Sequence, residues 1–328
     1  MTPDIAQLLR EWDRDVLNGP TSYVGEGEFI DFLATQLFDS FEPAAGAQHP
    51  EFGSRLRDWL SCEQDEHYKQ KMVQLASRIL FFGAKEFEAL YRATLPRSVY
   101  PWLVNELGLM LDSPNLDAQL QNGIRTTWFT GVTESMRLAT FYHVNNIEGV
   151  DWRLDWHGAI KGNVSIGRLE EYMAKHGLTR VVVLEDFAGS GTQIREAADL
   201  FCQLGKSIPI LVAPFFACRG AVNVGAALQS NHANIKFTPL VEIDGDCFIP
   251  QQVSPTDTLF QKNIRDLAEH VHAKVVGSGW TQNYGPFGFG QEGGLVVMHT
   301  NCPDNCLPMI HHNSDGPWKA LFPRSSRL

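Results

Sequence analysis

The run Val181-Val182-Val183-Leu184-Glu185-Asp186-Phe187-Ala188-Gly189-Ser190-Gly191-Thr192-Gln193 constrains this chain more than any other stretch. Four apolar residues lead into two adjacent acids. A loop of small residues follows, and then a helical pattern with Ile194, Ala197, Ala198, Phe201 and Leu204 on one face. A short apolar run bounded by a glycine loop reads as a buried parallel strand. In open α/β sheets, ligands sit beyond the carboxyl ends of the strands, where Gly189 to Gln193 falls. Gly189 and Gly191 let the backbone approach a phosphate closely. Ser190, Thr192 and Gln193 add side-chain donors. The unpaired N–H groups that open the next helix favour an anion.

Competing phosphate loops fit less well. The ATPase loop GxxxxGK[ST] requires a lysine that is absent, and GxGxxG is broken because Gln193 and Ile194 follow Gly191. Neither explains two acids before the loop. The vicinal hydroxyls of a ribose do, with Glu185 and Asp186 as paired acceptors or as holders of a hydrated magnesium ion. Acids that merely cap the next helix are the alternative.

The texture of the chain divides near residue 125. Before it, apolar residues recur at helical spacing: Ile5, Leu8, Leu9, Trp12 and Val16, then Ile30, Leu33 and Leu37, then Tyr68, Met72, Leu75 and Ile79. Gly, Pro and Ser clusters near 18–21, 43–53 and 96–101 are expected to break these runs. After it, strand-like segments at 126–130, 181–184, 208–212, 235–240 and 295–298 alternate with helical patterns. The expected domains are therefore a helical N-terminal region, 1–124, and an α/β domain, 125–328. The latter has a mainly parallel sheet with helices on both faces.

Residues 181–193 resemble the phosphoribosyl-pyrophosphate motif of type I phosphoribosyltransferases. Glu185-Asp186 match the acid pair and Ser190-Gly191-Thr192 match the 5′-phosphate loop. Phe187 and Ala188 replace the usual aliphatic pair. Gly189 stands where many base-using members carry Thr or Asp. A second segment, His299-Thr300-Asn301-Cys302-Pro303-Asp304-Asn305-Cys306-Leu307-Pro308, with Trp318 and a terminal Leu321-Phe322-Pro323-Arg324, resembles a specialised branch. That branch is the phosphoribosyltransferase-like effector family of bacterial conflict systems, of PRTase-CE type. The two resemblances cover roughly residues 125 to 324.

The resemblance implies a pentosyl (phosphoribosyl) transferase acting on phosphoribosyl pyrophosphate or a nucleotide, and a toxic effector role in antiphage defence. It implies Glu185 and Asp186 as catalytic residues and Gly189, Ser190, Gly191, Thr192 and Gln193 as the phosphate grip. It also implies magnesium carried with the substrate, with no direct protein motif for a metal. Implied partners are proteins of a defence operon, of the ATPase or reverse-transcriptase type. The acceptor stays open: a base, a free nucleotide, a nucleic-acid end or a protein side chain. A second reading is a non-catalytic nucleotide sensor or interaction subunit, motivated by the missing acid at Gly189.

Thr133, Glu134, Ser135 and Arg137 follow the first strand-like segment, where a pyrophosphate loop would sit in the resembled family. Thr133 and Ser135 offer hydroxyls and Arg137 a planar fork of donors. The same residues also read as a helix start. His299, Asn301 and Asn305 follow the last strand and are expected either to line the pocket or to shape a turn. Arg219, after the 208–213 strand, reads either as a phosphate contact or as a surface arginine.

The charge balance, 27 basic against 38 acidic residues and a net charge of -11, argues against a broad nucleic-acid-binding face. No run approaches the roughly 20 apolar residues of a membrane span. Met1-Thr2-Pro3-Asp4 lacks the basic and apolar regions of a signal peptide, so the cytoplasm is the expected compartment. Six cysteines lie at 62, 202, 218, 247, 302 and 306. Only Cys302 and Cys306 are close, at a spacing that fits a turn with two free thiols better than a metal site.

Overall fold

The computed structural model describes residues 2–15, 22–43, 50–149, 154, 165–205, 207–277, 285–314 and 316–324. The chain packs as two compact units. One combines Met1–Ala84 with Gly245–Leu328, and the other is Lys85–Asp244. These limits stand beside the expected division at 124/125, which was read from a change in periodicity rather than from packing.

The unit 85–244 is built on a five-stranded sheet. Following β1 (Leu80–Phe82) of the other unit, its strands are β2 (Thr127–Gly131), β3 (Arg180–Ala188), β4 (Ile210–Cys218), β5 (Ile235–Phe237) and β6 (Val241–Ile243). The order is β2-β3-β4-β5, all parallel, with β6 also on β4. β3 and β4 are buried along nearly their whole length, which explains their continuous apolar sequence. β5 and β6 are interrupted at 238–240. Pro239 lies in that gap, and Pro214 of β4 lies beside it; neither has an N–H to give to a ladder.

Both faces of this sheet are covered. On one, Trp128, Val181, Val183, Ile210, Val212 and Phe237 pack with the apolar stripes of helices Ile166–Lys175, Thr192–Phe201 and Arg219–Asn231. On the other, Phe129 meets Phe141 and Tyr142 of the short helix Leu138–Val144, and Phe215 meets Phe87 and Tyr91 of helix Ala84–Thr94. The expected mainly parallel α/β architecture is what the chain forms.

The helix breaks expected near 96–101 are not there. Leu95–Val99 is a π-helical turn that runs directly into helix Tyr100–Leu107. Pro96 and Pro101 lie inside this continuous helical run, and the π-turn is where the hydrogen-bond ladder adjusts to residues without an N–H. The breaks expected at 18–21 and the helical position Val16 lie outside the described residues, as does most of the one at 43–53.

In the other unit, β1 pairs in parallel with β7 (Val296–Met298). Two expectations change here. The region before residue 125 contains a strand, and the 295–298 segment does not close the series of the larger sheet. Three apolar residues carry no information about which sheet they will join. The same unit holds helices Pro3–Asp15, Tyr23–Gln36, Phe52–Ser61, Glu66–Ala76 and Leu259–Val276. Thr258 and Gln261 form a capping box at the start of the last. Phe38 packs against Phe52, Phe81 and Phe322, with the buried Arg55 guanidinium over Phe41, Phe52 and Phe322.

Candidate functional site

The carboxyl end of β3 carries the acid pair. Glu185 is 3% exposed and Asp186 4%. A carboxylate so buried needs donors, because an unpaired buried charge is costly. The donors come from the segment that leaves β2. Thr133 gives its backbone N–H to Glu185 Oε2 at 3.0 Å and its hydroxyl to Oε1 at 2.7 Å. Ser135 Oγ donates to Asp186 Oδ1 at 3.0 Å, and the Phe187 N–H reaches the same oxygen at 2.8 Å. The two hydroxyls, Thr133 Oγ1 and Ser135 Oγ, lie 2.6 Å apart. The structure thus gathers Thr133, Ser135, Glu185 and Asp186, which the sequence separates by about fifty residues, into one polar cluster. Glu134 and Arg137 of the same segment are exposed.

This segment is a turn as well as a start of helix. Met136 N–H returns to Thr133 O at 3.3 Å, and helix Leu138–Val144 begins after Arg137. The helix starts four residues later than a Thr133 cap would place it: Arg137 is the N-cap, and the Thr133 hydroxyl goes to Glu185 instead.

The loop after β3 is fixed by close packing. Gly191 precedes helix Thr192–Phe201 with φ of 79°. A Cβ there would lie 2.9 Å from Ala221 Cα and 2.9 Å from Val224 Cβ, so only glycine satisfies both the backbone conformation and the space. Gly189 O accepts the Ala221 N–H at 2.9 Å, which ties the loop to helix Arg219–Asn231. Ser190 Oγ sits 3.0 Å from Thr192 Oγ1. Ser190 is half-buried, while Thr192 and Gln193 are exposed beside the N–H groups that open the helix. Arg219, exposed at the first turn after β4, starts from the same edge of the sheet.

The match to PRTase-CE spans residues 56–324, most of the chain.

The chain belongs to the PRTase-CE family. No curated protein and no solved structure matches it. Membership brings a phosphoribosyltransferase-like function and a phosphoribosyl-type substrate, and the parallel α/β sheet suits that fold. Among the described residues, no helix is long and apolar enough to cross a membrane.

One neighbour of the acid pair escaped the sequence reading. Tyr91 of helix Ala84–Thr94 is buried and stacks edge-on to Phe215 at 4.9 Å. Burial first, and then the negative charge of Asp186, push its phenol up to about 12; the Arg137 charge and backbone oppose this. Tyr91 is therefore a neutral hydroxyl within the field of Asp186. Its only sequence signal is a place at i+4 from Phe87, which reads as core.

His299, Asn301 and Asn305 stand in the other compact unit, after β7. The expectation that they begin at the edge of the acid-bearing sheet is corrected by the strand pairing, since β7 pairs with β1. Within that unit they build a turn. His299 N–H donates to Phe82 O at 2.8 Å, Asn301 bridges to Met298, and Asn305 Nδ2 donates to Glu292 Oε2 at 2.7 Å. Cys302 and Cys306 are buried free thiols directed at Val296 O, at 3.7 and 3.0 Å. Burial pushes the Cys306 thiol well above its ordinary value.

Among the described residues, no group of three or more His, Cys, Asp or Glu is arranged to hold a metal ion. Magnesium needs only one or two protein carboxylates when substrate phosphates supply the rest.

Proposed function

We propose that this PRTase-CE protein is a phosphoribosyltransferase-type enzyme whose substrate is phosphoribosyl pyrophosphate or a nucleotide. The observation that carries this is the left-handed Gly191, packed against Ala221 and Val224 directly after a buried Glu-Asp pair. The packing fixes the loop so that the N–H groups opening the helix would meet an anion beside two negative charges, which is what a 5′-phosphate joined to a ribose requires. Gly189 to Gln193 would hold the 5′-phosphate. Glu185 and Asp186 would supply negative charge that offsets positive charge developing on the sugar ring as the bond to the leaving group breaks. The electron pair of that bond departs with pyrophosphate or base, and the acceptor adds at the same carbon. Arg137, exposed on the loop after β2, would meet the leaving phosphates. Magnesium, when bound with the substrate, would neutralise part of their charge.

The family further supports a toxic effector role in antiphage defence, under the control of ATPase or reverse-transcriptase type partners. Titration calorimetry of phosphoribosyl pyrophosphate with magnesium tests the binding claim. Gly191→Val should weaken affinity at least tenfold, about 1.4 kcal/mol. Wild-type protein that takes up no phosphoribosyl pyrophosphate and no nucleotide would refute it.

Gly189 favours a second reading, a sensor that binds without turnover, because it offers no acid or base to an incoming or departing group. Release of pyrophosphate or free base by wild type, lost in Asp186→Ala, decides for the enzyme.

A further inference from the structure

We infer that Glu185 is a positioning residue that clamps the loop after β2, and that it acts on substrate through that loop rather than by touching the sugar. Thr133 engages both of its oxygens: the hydroxyl at 2.7 Å and the backbone N–H at 3.0 Å. Hydrogen bonds to an ionised, buried carboxylate are the strong kind, and replacing them with a ribose hydroxyl would leave the Thr133 amide without its acceptor. Thr133 is in turn the pivot of its loop. Just before it, Val132 N–H continues the sheet ladder to Leu184 O at 2.9 Å. Just after it, Met136 N–H closes the turn on Thr133 O. A residue held through its amide, its hydroxyl and its carbonyl fixes where the chain goes next, and what comes next is exposed Glu134 and Arg137.

The neighbouring acid is held differently. Asp186 Oδ1 accepts from the side chain of Ser135 and from the N–H of its own successor, Phe187. Neither fixes the backbone of the loop. The two adjacent carboxylates therefore divide the work: Glu185 holds the backbone of the loop, and Asp186 takes the Ser135 hydroxyl and lies within electrostatic reach of Tyr91. The clamp itself follows from these contacts; its effect on ligand binding rests on the phosphoribosyl reading above.

A double-mutant cycle on the full chain tests it, with Glu185→Gln, Thr133→Val and the pair. The first readout is amide hydrogen exchange of residues 132–137 in protein without ligand. Each single variant should speed exchange there at least tenfold, the pair should stay within twofold of the faster single, and Thr133→Ser should restore wild-type exchange. The second readout is affinity for phosphoribosyl pyrophosphate with magnesium, where the losses of the two singles should likewise fail to add. Wild-type exchange in the Thr133→Val loop overturns the clamp, as does a Glu185→Gln affinity loss that adds fully to that of Thr133→Val. If Glu185→Gln does not fold, Thr133→Val against Thr133→Ser decides alone. Wild-type protein that binds no phosphoribosyl pyrophosphate refutes the proposed substrate and leaves the exchange result standing.

Discussion

Two segments carried the family resemblance, and they use their polar residues in opposite ways. The 181–193 segment places Ser190, Thr192 and Gln193 at the edge of its sheet, half-buried or exposed, around the start of a helix. The 295–308 segment turns Asn305 and its two cysteines inward and leaves His299, Thr300, Asn301 and Asp304 half-buried. Asn305 is 2% exposed and bonded to Glu292, and Cys302 and Cys306 lie buried against Val296 O. Both segments follow a short buried strand, so sequence pattern alone ranks them alike. Burial and hydrogen-bond partners separate a loop that presents donors to solvent from a turn that consumes them internally.

The most severe way to break this contrast lies at Gly293. A Cβ there would stand 1.9 Å from Ile249 O, with the backbone at φ of 62°. Gly293→Ala should cost more than about 4 kcal/mol and leave little folded protein, read by thermal denaturation. A variant with wild-type melting would show that the 288–306 region has room the packing denies. Asn305→Ala is the milder probe. It should lower stability by about 1–3 kcal/mol, since the Glu292 carboxylate loses a donor. Ligand affinity of the folded protein should stay within twofold. A large affinity loss at unchanged stability would move Asn305 from the turn to the site.

The smallest expected effect is in pH dependence, and its sign differs between the units. His311 is buried, with no partner for Nε2 among the described residues. Burial first, then the charges of Arg324 and His312, hold it down at about 3. A depressed folded value means that its contribution is present above the ordinary 6.5 and is lost as pH falls from there toward 3. Burial pushes Glu63 up, but the backbone N–H groups of Asp65 and Gln64 and the Lys274 ammonium outweigh it and hold it at about 2. Its contribution is lost between about 4.5 and 2. Tyr91, raised to about 12, acts in the other direction: its contribution is present below 10 and is lost as pH rises toward 12. Melting followed by hydrogen exchange should show residues 259–276 and 308–311 loosening first in acid and residues 87–94 in alkali. Both segments yielding together at either extreme would contradict this.

Much of the fold was legible because the signals are local. The apolar run 181–184, the helical spacing after Gly191 and the β-branched and aromatic residues at 126–130 each encode an element within a dozen residues. The acid pair and its glycine loop were legible for the same reason. The engagement of Glu185 by Thr133 was not, because that contact spans 52 residues and both side chains had independent uses on paper. Tyr91 was hidden in an amphipathic helix, where an aromatic at i+4 from another reads as packing. The partner of β7 was hidden because the two strands of its sheet are 216 positions apart in register, from Leu80 to Val296.

By itself, the sequence determined the chemistry on offer: two adjacent carboxylates at a strand end, a glycine-bearing loop without lysine, and a parallel α/β alternation. It determined these because strand and helix periods, and the space a glycine leaves, are properties of short stretches of chain. Only the tertiary structure decided that the acids meet the hydroxyls of the loop after β2, that Gly191 is wedged against Ala221 and Val224, and that the Asn-Cys-Pro-Asp-Asn turn spends its hydrogen bonds within its own unit. Those outcomes depend on which distant segments share a buried volume, and burial is what forces each polar group to find a partner.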